Sequence, residues 1–208
     1  MRWPTLGGGI LAGLLAAAAP AGSLPAQARH WPRGLYVGIG ADAALLHAEE
    51  TRDLVGVVGP TVGLGIAFAP RLSLEVGVRT MSYPSAGRAT LNAPAGLSMR
   101  YTQVTVQPIV ALHHSPFASL YGGARVTLDR KTSENTRFFL DPAAAGGVGL
   151  GLVAGVRALW SGRVGFDVTA YAERQWYGSL SAGGLRLPDT ETAAAWFGLR
   201  THLVAFPF

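Results

Sequence analysis

Hydrophobic and polar residues alternate with a period of two along most of the chain. In the stretch GLYVGIGADAALL, Leu35, Val37 and Ile39 fall on one face of an extended strand, and Tyr36 and Asp42 fall on the other. This alternation is typical of β-strands, because successive side chains point to opposite faces of a sheet. The pattern recurs along the chain and predicts strands at 35–46, 54–68, 72–82, 99–112, 117–129, 145–159, 164–177 and 192–206.

Short and long connections alternate between the predicted strands. The short ones are Ala69–Arg71, His113–Pro116 and Trp160–Arg163, and each contains a Pro or Gly that favours a turn. With an even number of strands and both chain ends on the short-turn side, this alternation is typical of a chain that crosses a membrane up and down. A closed sheet also satisfies every backbone polar group in lipid. The sequence therefore predicts an all-β protein, an eight-stranded antiparallel up-and-down transmembrane β-barrel.

A soluble eight-stranded barrel is the alternative fold, because it has the same alternation with its apolar face turned inward. The strand pattern alone allows either face to line the interior. Two features favour a polar lumen. One is the glycines on the polar face, which suit a narrow, crowded interior, and the other is the phenylalanines that end the chain. Charged residues on that face are then expected to form structural ion pairs. The predicted lumen network comprises Glu75, Arg79, Arg125, Arg157, Asp167, Glu173 and Arg200.

Composition narrows the class of protein further. The chain has 208 residues, of which 49% are hydrophobic and 14% charged, with no cysteine and a formal net charge of +5. The lack of cysteine excludes a disulfide scaffold and thiolate metal sites. Although the chain is basic, its arginines are scattered singly, so nucleic acid is not an expected partner. No segment after the amino terminus has about 20 uninterrupted apolar residues, which argues against a helical membrane protein.

The first 28 residues have the features of a secretory signal peptide. Arg2 supplies the positive end, 6–19 is an apolar stretch, and Ala26-Gln27-Ala28 is a small-x-small cleavage site. The apolar stretch is short for a membrane span. We therefore predict a signal peptide at 1–28 and a barrel domain at 29–208.

Several stretches resemble the small outer-membrane β-barrel family, the OmpA/OmpX-like eight-stranded proteins. They are GLYVGIGADAAL in the first strand, the tight turns, YGGAR in the fifth strand and the closing FGLRTHLVAFPF. The resemblance implies a location in the cell outer membrane, contact with outer-membrane lipid and insertion by the barrel-assembly machinery. In that family the terminal aromatic residue is read by this machinery, which makes Phe208 the implied assembly signal. A monomer is expected.

The last two phenylalanines have an unexpected position in the alternation. Phe206 and Phe208 share the parity of Arg200 and His202, which are expected to face the lumen. A bulge or a strand end near Leu203 would be needed to turn them toward lipid.

Aromatic residues also stand near the predicted strand ends. Trp31, Tyr83, Trp160, Trp176 and Tyr177 have the positions that aromatic girdles occupy at the two membrane interfaces.

Three functions fit the sequence. The first is a structural or surface-interaction role, in which long loops meet an extracellular ligand. The second is a narrow, porin-like pore for small solutes. The third is an outer-membrane lipid hydrolase, since His113 and Ser115 have the His-x-Ser spacing of lipid A deacylases, although they fall in a short turn. The first is preferred, so the protein is predicted not to be an enzyme, and no cofactor or metal site is predicted.

Overall fold

The structure, a computed structural model, describes residues 32–48, 54–83, 99–115, 117–133, 143–160, 163–179, 181–186 and 192–207. The predicted signal peptide and Phe208 lie outside these ranges. The described residues form the strands β1 (Gly34–Ala48), β2 (Leu54–Ala69), β3 (Leu72–Tyr83), β4 (Met99–His114), β5 (Ala118–Ser133), β6 (Ala143–Leu159), β7 (Val164–Tyr177), β8 (Ser181–Ala182), β9 (Leu185–Arg186) and β10 (Thr192–Ala205). No helix in this part of the chain is long and apolar enough to cross a membrane.

Eight long strands close into an antiparallel barrel. Each strand from β1 to β6 pairs with the next strand in the chain, and β10 pairs with both β7 and β1. This confirms the predicted eight-stranded up-and-down architecture. The largest difference in a strand limit is in β5, which continues past Asp129 to Ser133 because its ladder with β6 runs on to the Ser133–Ala143 pair.

The short hairpin β8–β9 was not predicted. It lies in the long connection between β7 and β10 and turns at Gly183 and Gly184, whose φ angles are 56° and 81°. Positive φ at both central positions is what a tight hairpin turn requires, and glycine adopts it without strain.

Side chains alternate between an apolar exterior and a polar interior, as the sequence pattern predicts. Outward-facing side chains such as Ile39, Leu64, Leu152 and Phe197 are each at least half exposed. The inner positions of the same strands hold charged, amide and hydroxyl groups. This facing excludes the soluble alternative, in which the aliphatic side chains would lie inside.

The aromatic residues near the strand ends do not all face outward. Trp160 and Trp176 are about half exposed on the outside, at opposite ends of the barrel, as a girdle requires. Tyr177 is only 5% exposed and points into the lumen, so its predicted place in the girdle is wrong. The reason is the period of two, because Tyr177 follows the outward-facing Trp176. Trp31 and the side chain of Tyr83 lie outside the described part of the chain.

The bulge or strand end near Leu203 that would turn Phe206 toward lipid is not present. β10 keeps its register with β1 and β7 through Ala205, without a bulge. Phe206 continues the alternation inward, is 1% exposed, and packs on Tyr36 with ring centroids 5.1 Å apart. Its backbone nitrogen donates to the carbonyl oxygen of Arg163 at 2.7 Å, which holds the chain against the turn between β6 and β7.

Candidate functional site

Glycine on one strand makes room for tyrosine on the next throughout the lumen. The directly paired residues are Tyr36 with Gly65, Tyr121 with Gly155, Tyr171 with Gly198 and Tyr177 with Gly147. A Cβ added to any of these glycines would collide with the ring of its tyrosine partner. The rings therefore lie flat across the space that the glycines leave open. This packing explains why the inner face is rich in glycine although the lumen is full.

Each of these tyrosines donates its hydroxyl to a buried carboxylate. The distances are 3.1 Å for Tyr36 to Glu75, 2.7 Å for Tyr121 to Asp167, 2.7 Å for Tyr171 to Asp42 and 2.6 Å for Tyr177 to Asp129. A hydroxyl that donates to a carboxylate forms a strong, charge-assisted hydrogen bond. The tyrosines thus fill the lumen and also satisfy its acids.

Four charged residues form a closed ring in the half of the lumen nearer the short turns. This short-turn tetrad consists of Glu75, Arg157, Asp167 and Arg200, from β3, β6, β7 and β10. Arg157 lies 2.7 Å from Asp167 and 3.3 Å from Glu75. Arg200 lies 2.5 Å from Glu75 and 3.9 Å from Asp167. Two cations and two anions alternate around the ring, so the tetrad has no net charge when all four groups are ionised.

A second group lies nearer the long loops. This loop-side tetrad consists of Asp42, Arg79, Glu173 and Arg125. Arg79 lies 2.8 Å from Asp42 and 2.7 Å from Glu173, and Arg125 lies 2.8 Å from the second oxygen of Glu173. Arg79 also donates to Gln103 and to Tyr171. Like the first tetrad, it joins strands from opposite sides of the barrel and balances its own charge.

All seven residues of the predicted lumen network lie in the two tetrads, each 5% exposed or less. Two further acids lie in the lumen that the predicted network did not include. Asp42 completes the loop-side tetrad, and Asp129 accepts hydrogen bonds from Tyr177 and Gln103. Both acids share the parity of the inner face, so the alternation alone was a sufficient signal to include them. Which acid meets which arginine depends on contacts across the lumen, where the sequence pattern carries no information.

Apolar side chains close the lumen at both ends. The short-turn plug consists of Tyr36, Ala67, Leu159, Val204 and Phe206. The loop-side plug includes Leu46, Val57, Met81, Tyr101 and Trp196, with Tyr101 packed edge-on against Trp196 at 5.1 Å. The tetrads therefore lie between two apolar layers. A cavity of about 20 Å³ near the short turns, lined in part by Tyr121 and Arg157, has room for about one water molecule.

The residues of the hydrolase hypothesis do not form a catalytic arrangement. The hydroxyl of Ser115 exchanges hydrogen bonds with the backbone of Ala118, at 3.1 and 3.0 Å, and closes the turn between β4 and β5. The side chain of His113 is exposed, and the ring of His114 lies 2.5 Å from the carbonyl oxygen of Pro70. In the described ranges, no group of three or more His, Cys, Asp or Glu side chains is placed to hold a metal ion.

Comparisons with known proteins identify the fold. No protein-family model matches the chain, and no curated protein is similar to it in sequence. The structure of Neisserial surface protein A is similar, with 16% identity over 83% of this chain and 96% of that one and a TM-score of 0.59. Ail, the attachment invasion locus protein of Yersinia pestis, matches with 14% identity, 83% and 99% coverage and a TM-score of 0.49. The fold is that of the small eight-stranded outer-membrane barrels, which confirms the resemblance seen in the sequence.

Proposed function

We propose that the protein is an outer-membrane β-barrel with a structural or surface-interaction role, exported by the signal peptide at 1–28. The observation that carries this proposal is a closed barrel with an aliphatic exterior and a lumen filled by two neutral charge tetrads. An exterior of this kind needs lipid, because in water it would be one continuous apolar patch. We assign contacts with other molecules to the long connections, because the strand ends that flank them lie together at one end of the barrel.

A non-conducting barrel is the form of this function that the lumen supports best. Side chains rather than solvent occupy the interior, as in other small barrels. An ion would have to displace both apolar plugs and separate arginine–carboxylate pairs as close as 2.7 Å. No observation favours the pore or the lipid hydrolase over the surface-interaction role.

The proposed partners follow from the proposed location of the barrel in the outer membrane. Outer-membrane lipid surrounds the exterior, the barrel-assembly machinery inserts the chain by reading Phe208, and an extracellular ligand binds the long loops of a monomeric barrel.

An epitope tag tests the orientation of the barrel in the membrane. A tag inserted within 84–98 should be accessible to antibody on intact cells, whereas the same tag between Trp160 and Arg163 should become accessible only after the outer membrane is opened. The reverse pattern would contradict the proposed topology.

Conductance tests the sealed lumen. Refolded barrel added to a planar bilayer should give at most rare, small openings, with insertion verified by heat-modifiable gel mobility of the recovered protein. A steady conductance in every insertion would replace the surface-interaction role with a pore.

A further inference from the structure

The short-turn end of the lumen is only partly closed by apolar side chains. The short-turn plug comes from β1, β2, β6 and the end of β10. Beside it lies the cavity of about 20 Å³, which is lined mainly by β3, β4, β5 and the turn that precedes β3. Pro70, Arg71 and Leu72 line the cavity and are exposed, so they lie at its mouth. The cavity is therefore open toward the short turns.

The polar lining of this cavity consists of groups that can donate hydrogen bonds. Arg71 and Arg157 line it, together with the hydroxyl-bearing residues Ser73, Ser119 and Tyr121. No aspartate or glutamate is among its lining residues. Cationic and hydroxyl groups that converge without an acid favour an anion.

Arg157 has one nitrogen that its ion pairs do not use. Its Nε donates to Asp167, and its Nη2 donates to Tyr36 and Glu75. The remaining nitrogen, Nη1, has no acceptor among the described residues, although Arg157 is only 4% exposed. A guanidinium N–H that is withdrawn from water without an acceptor is costly. Since Arg157 lines the cavity, a group bound there can supply the missing acceptor.

Ser119 lies directly beside Arg157, because the two residues are partners across the β5–β6 pair. It is 3% exposed, and its hydroxyl has no hydrogen-bond partner in the described part of the chain. The hydroxyl of Ser73 is also without a partner there. The hydroxyl of Tyr121 is different, since it already donates to Asp167. The inner end of the cavity thus offers one guanidinium nitrogen and two serine hydroxyls as donors.

Arg71 supplies the positive charge at the mouth. The short-turn tetrad has no net charge, so Arg157 alone adds little long-range attraction for an anion. Arg71 is exposed and has no ion-pair partner among the described residues, whose carboxylates all lie in the lumen. Its backbone carbonyl oxygen accepts a hydrogen bond from the nitrogen of Ala111 at 2.8 Å, which holds the turn against β4.

We propose that this cavity binds the carboxylate group of a small soluble ligand. One oxygen occupies the inner end and accepts from Arg157 and Ser119, where the cavity has room for a group of the size of a water molecule. The second oxygen lies at the mouth and faces Arg71. Hydrogen bonds from guanidinium groups to a carboxylate are charge-assisted and strong. A chloride ion has a single centre and would reach only one of the two ends.

The compartment of the ligand rests on the proposed function, because the short turns face the periplasm in that topology. Binding itself does not depend on the orientation of the barrel. A test in micelles therefore gives a result that is independent of the epitope-tag and conductance tests.

The experiment titrates trifluoroacetate into the refolded barrel in uncharged maltoside micelles at low salt, and fluorine NMR measures the bound fraction. Wild type should bind with a dissociation constant on the order of 1 mM, and empty micelles should not bind. R71Q/S119A should bind about 15-fold more weakly, about threefold from the exposed charge and about fivefold from the hydrogen bond. R163Q/S82A removes the same two side-chain types outside the cavity and should bind within about twofold of wild type. R71Q alone changes only an exposed turn residue, so its threefold loss does not depend on a substitution in the lumen.

Three results would overturn the inference. One is no binding by folded wild type beyond that of empty micelles, which would leave the cavity to water. Another is an equal loss in R71Q/S119A and R163Q/S82A, which would make binding a general effect of the positive surface. The third is displacement of trifluoroacetate by chloride at equal concentration, which would make the site one for a halide ion. Heat-modifiable gel mobility verifies that each variant is folded before the titration.

Discussion

The ring of Tyr171 lies over Gly198, its direct partner across the β7–β10 pair, in the space that a side chain on Gly198 would occupy. From there its hydroxyl donates to Asp42 at 2.7 Å on the next strand, β1. One glycine thus determines the place of a tyrosine, and the tyrosine helps to hold an acid of the loop-side tetrad.

Gly198→Ala should destabilise the barrel by about 1–3 kcal/mol, since the new methyl group overlaps the ring of Tyr171 in a packed lumen. Urea unfolding in lipid vesicles, followed by tryptophan fluorescence, measures the effect. Gly146→Ala is the matched control, because a Cβ at Gly146 meets no atom within 4 Å. Equal effects of the two substitutions would show that the tyrosine ring does not depend on the glycine.

Arg79→Met should cost about 3–5 kcal/mol, because it leaves Asp42 and Glu173 without the guanidinium that pairs with both. The same unfolding measurement applies. A double-mutant cycle with Asp42→Asn should show that the two losses are not additive. Arg174→Met, on the exposed outer face, is the control and should change stability little. If Arg79→Met were as mild as Arg174→Met, the loop-side tetrad would contribute nothing to stability.

Val126→Arg tests which face meets lipid. Val126 lies on the outer face near the middle of β5 and is 39% exposed. An arginine at the bilayer midplane costs a transmembrane barrel about 2–4 kcal/mol. Val126→Ile keeps the site apolar and should unfold close to wild type. Tolerance of the arginine in vesicles would mean that this face contacts water.

Phe206 and Phe208 should have different roles. Phe206→Ala removes a buried ring from the short-turn plug and should cost about 3–5 kcal/mol in unfolding measurements. Removal of Phe208 should act mainly on insertion, so a chain that ends at Pro207 should refold in detergent yet be depleted from the outer-membrane fraction of cells. Comparison of heat-modifiable gel mobility with outer-membrane yield separates the two effects. A normal outer-membrane yield without Phe208 would remove its role as an assembly signal.

The alternation of hydrophobic and polar residues determined the strands of this protein and the face to which each side chain points. It placed eight barrel strands close to their observed limits, and it assigned the seven residues of the lumen network to the inner face. The reason is local, because a strand alternates its side chains whatever it pairs with. The same rule contained Asp42, Asp129 and the inward position of Phe206. The structure has Phe206 on that inner face, as its parity with Arg200 and His202 indicates.

Only the tertiary structure decided which groups meet. Arg79 reaches Asp42 and Glu173, which lie on strands that are not its sheet neighbours. Tyr171 meets Gly198 because the register of β7 against β10 places the two residues opposite each other. These contacts depend on the tilt and stagger with which eight strands close, which is a property of the whole sheet and not of any one strand. The two-residue alternation determines which side chains enter the lumen. The geometry of barrel closure determines how those side chains pair.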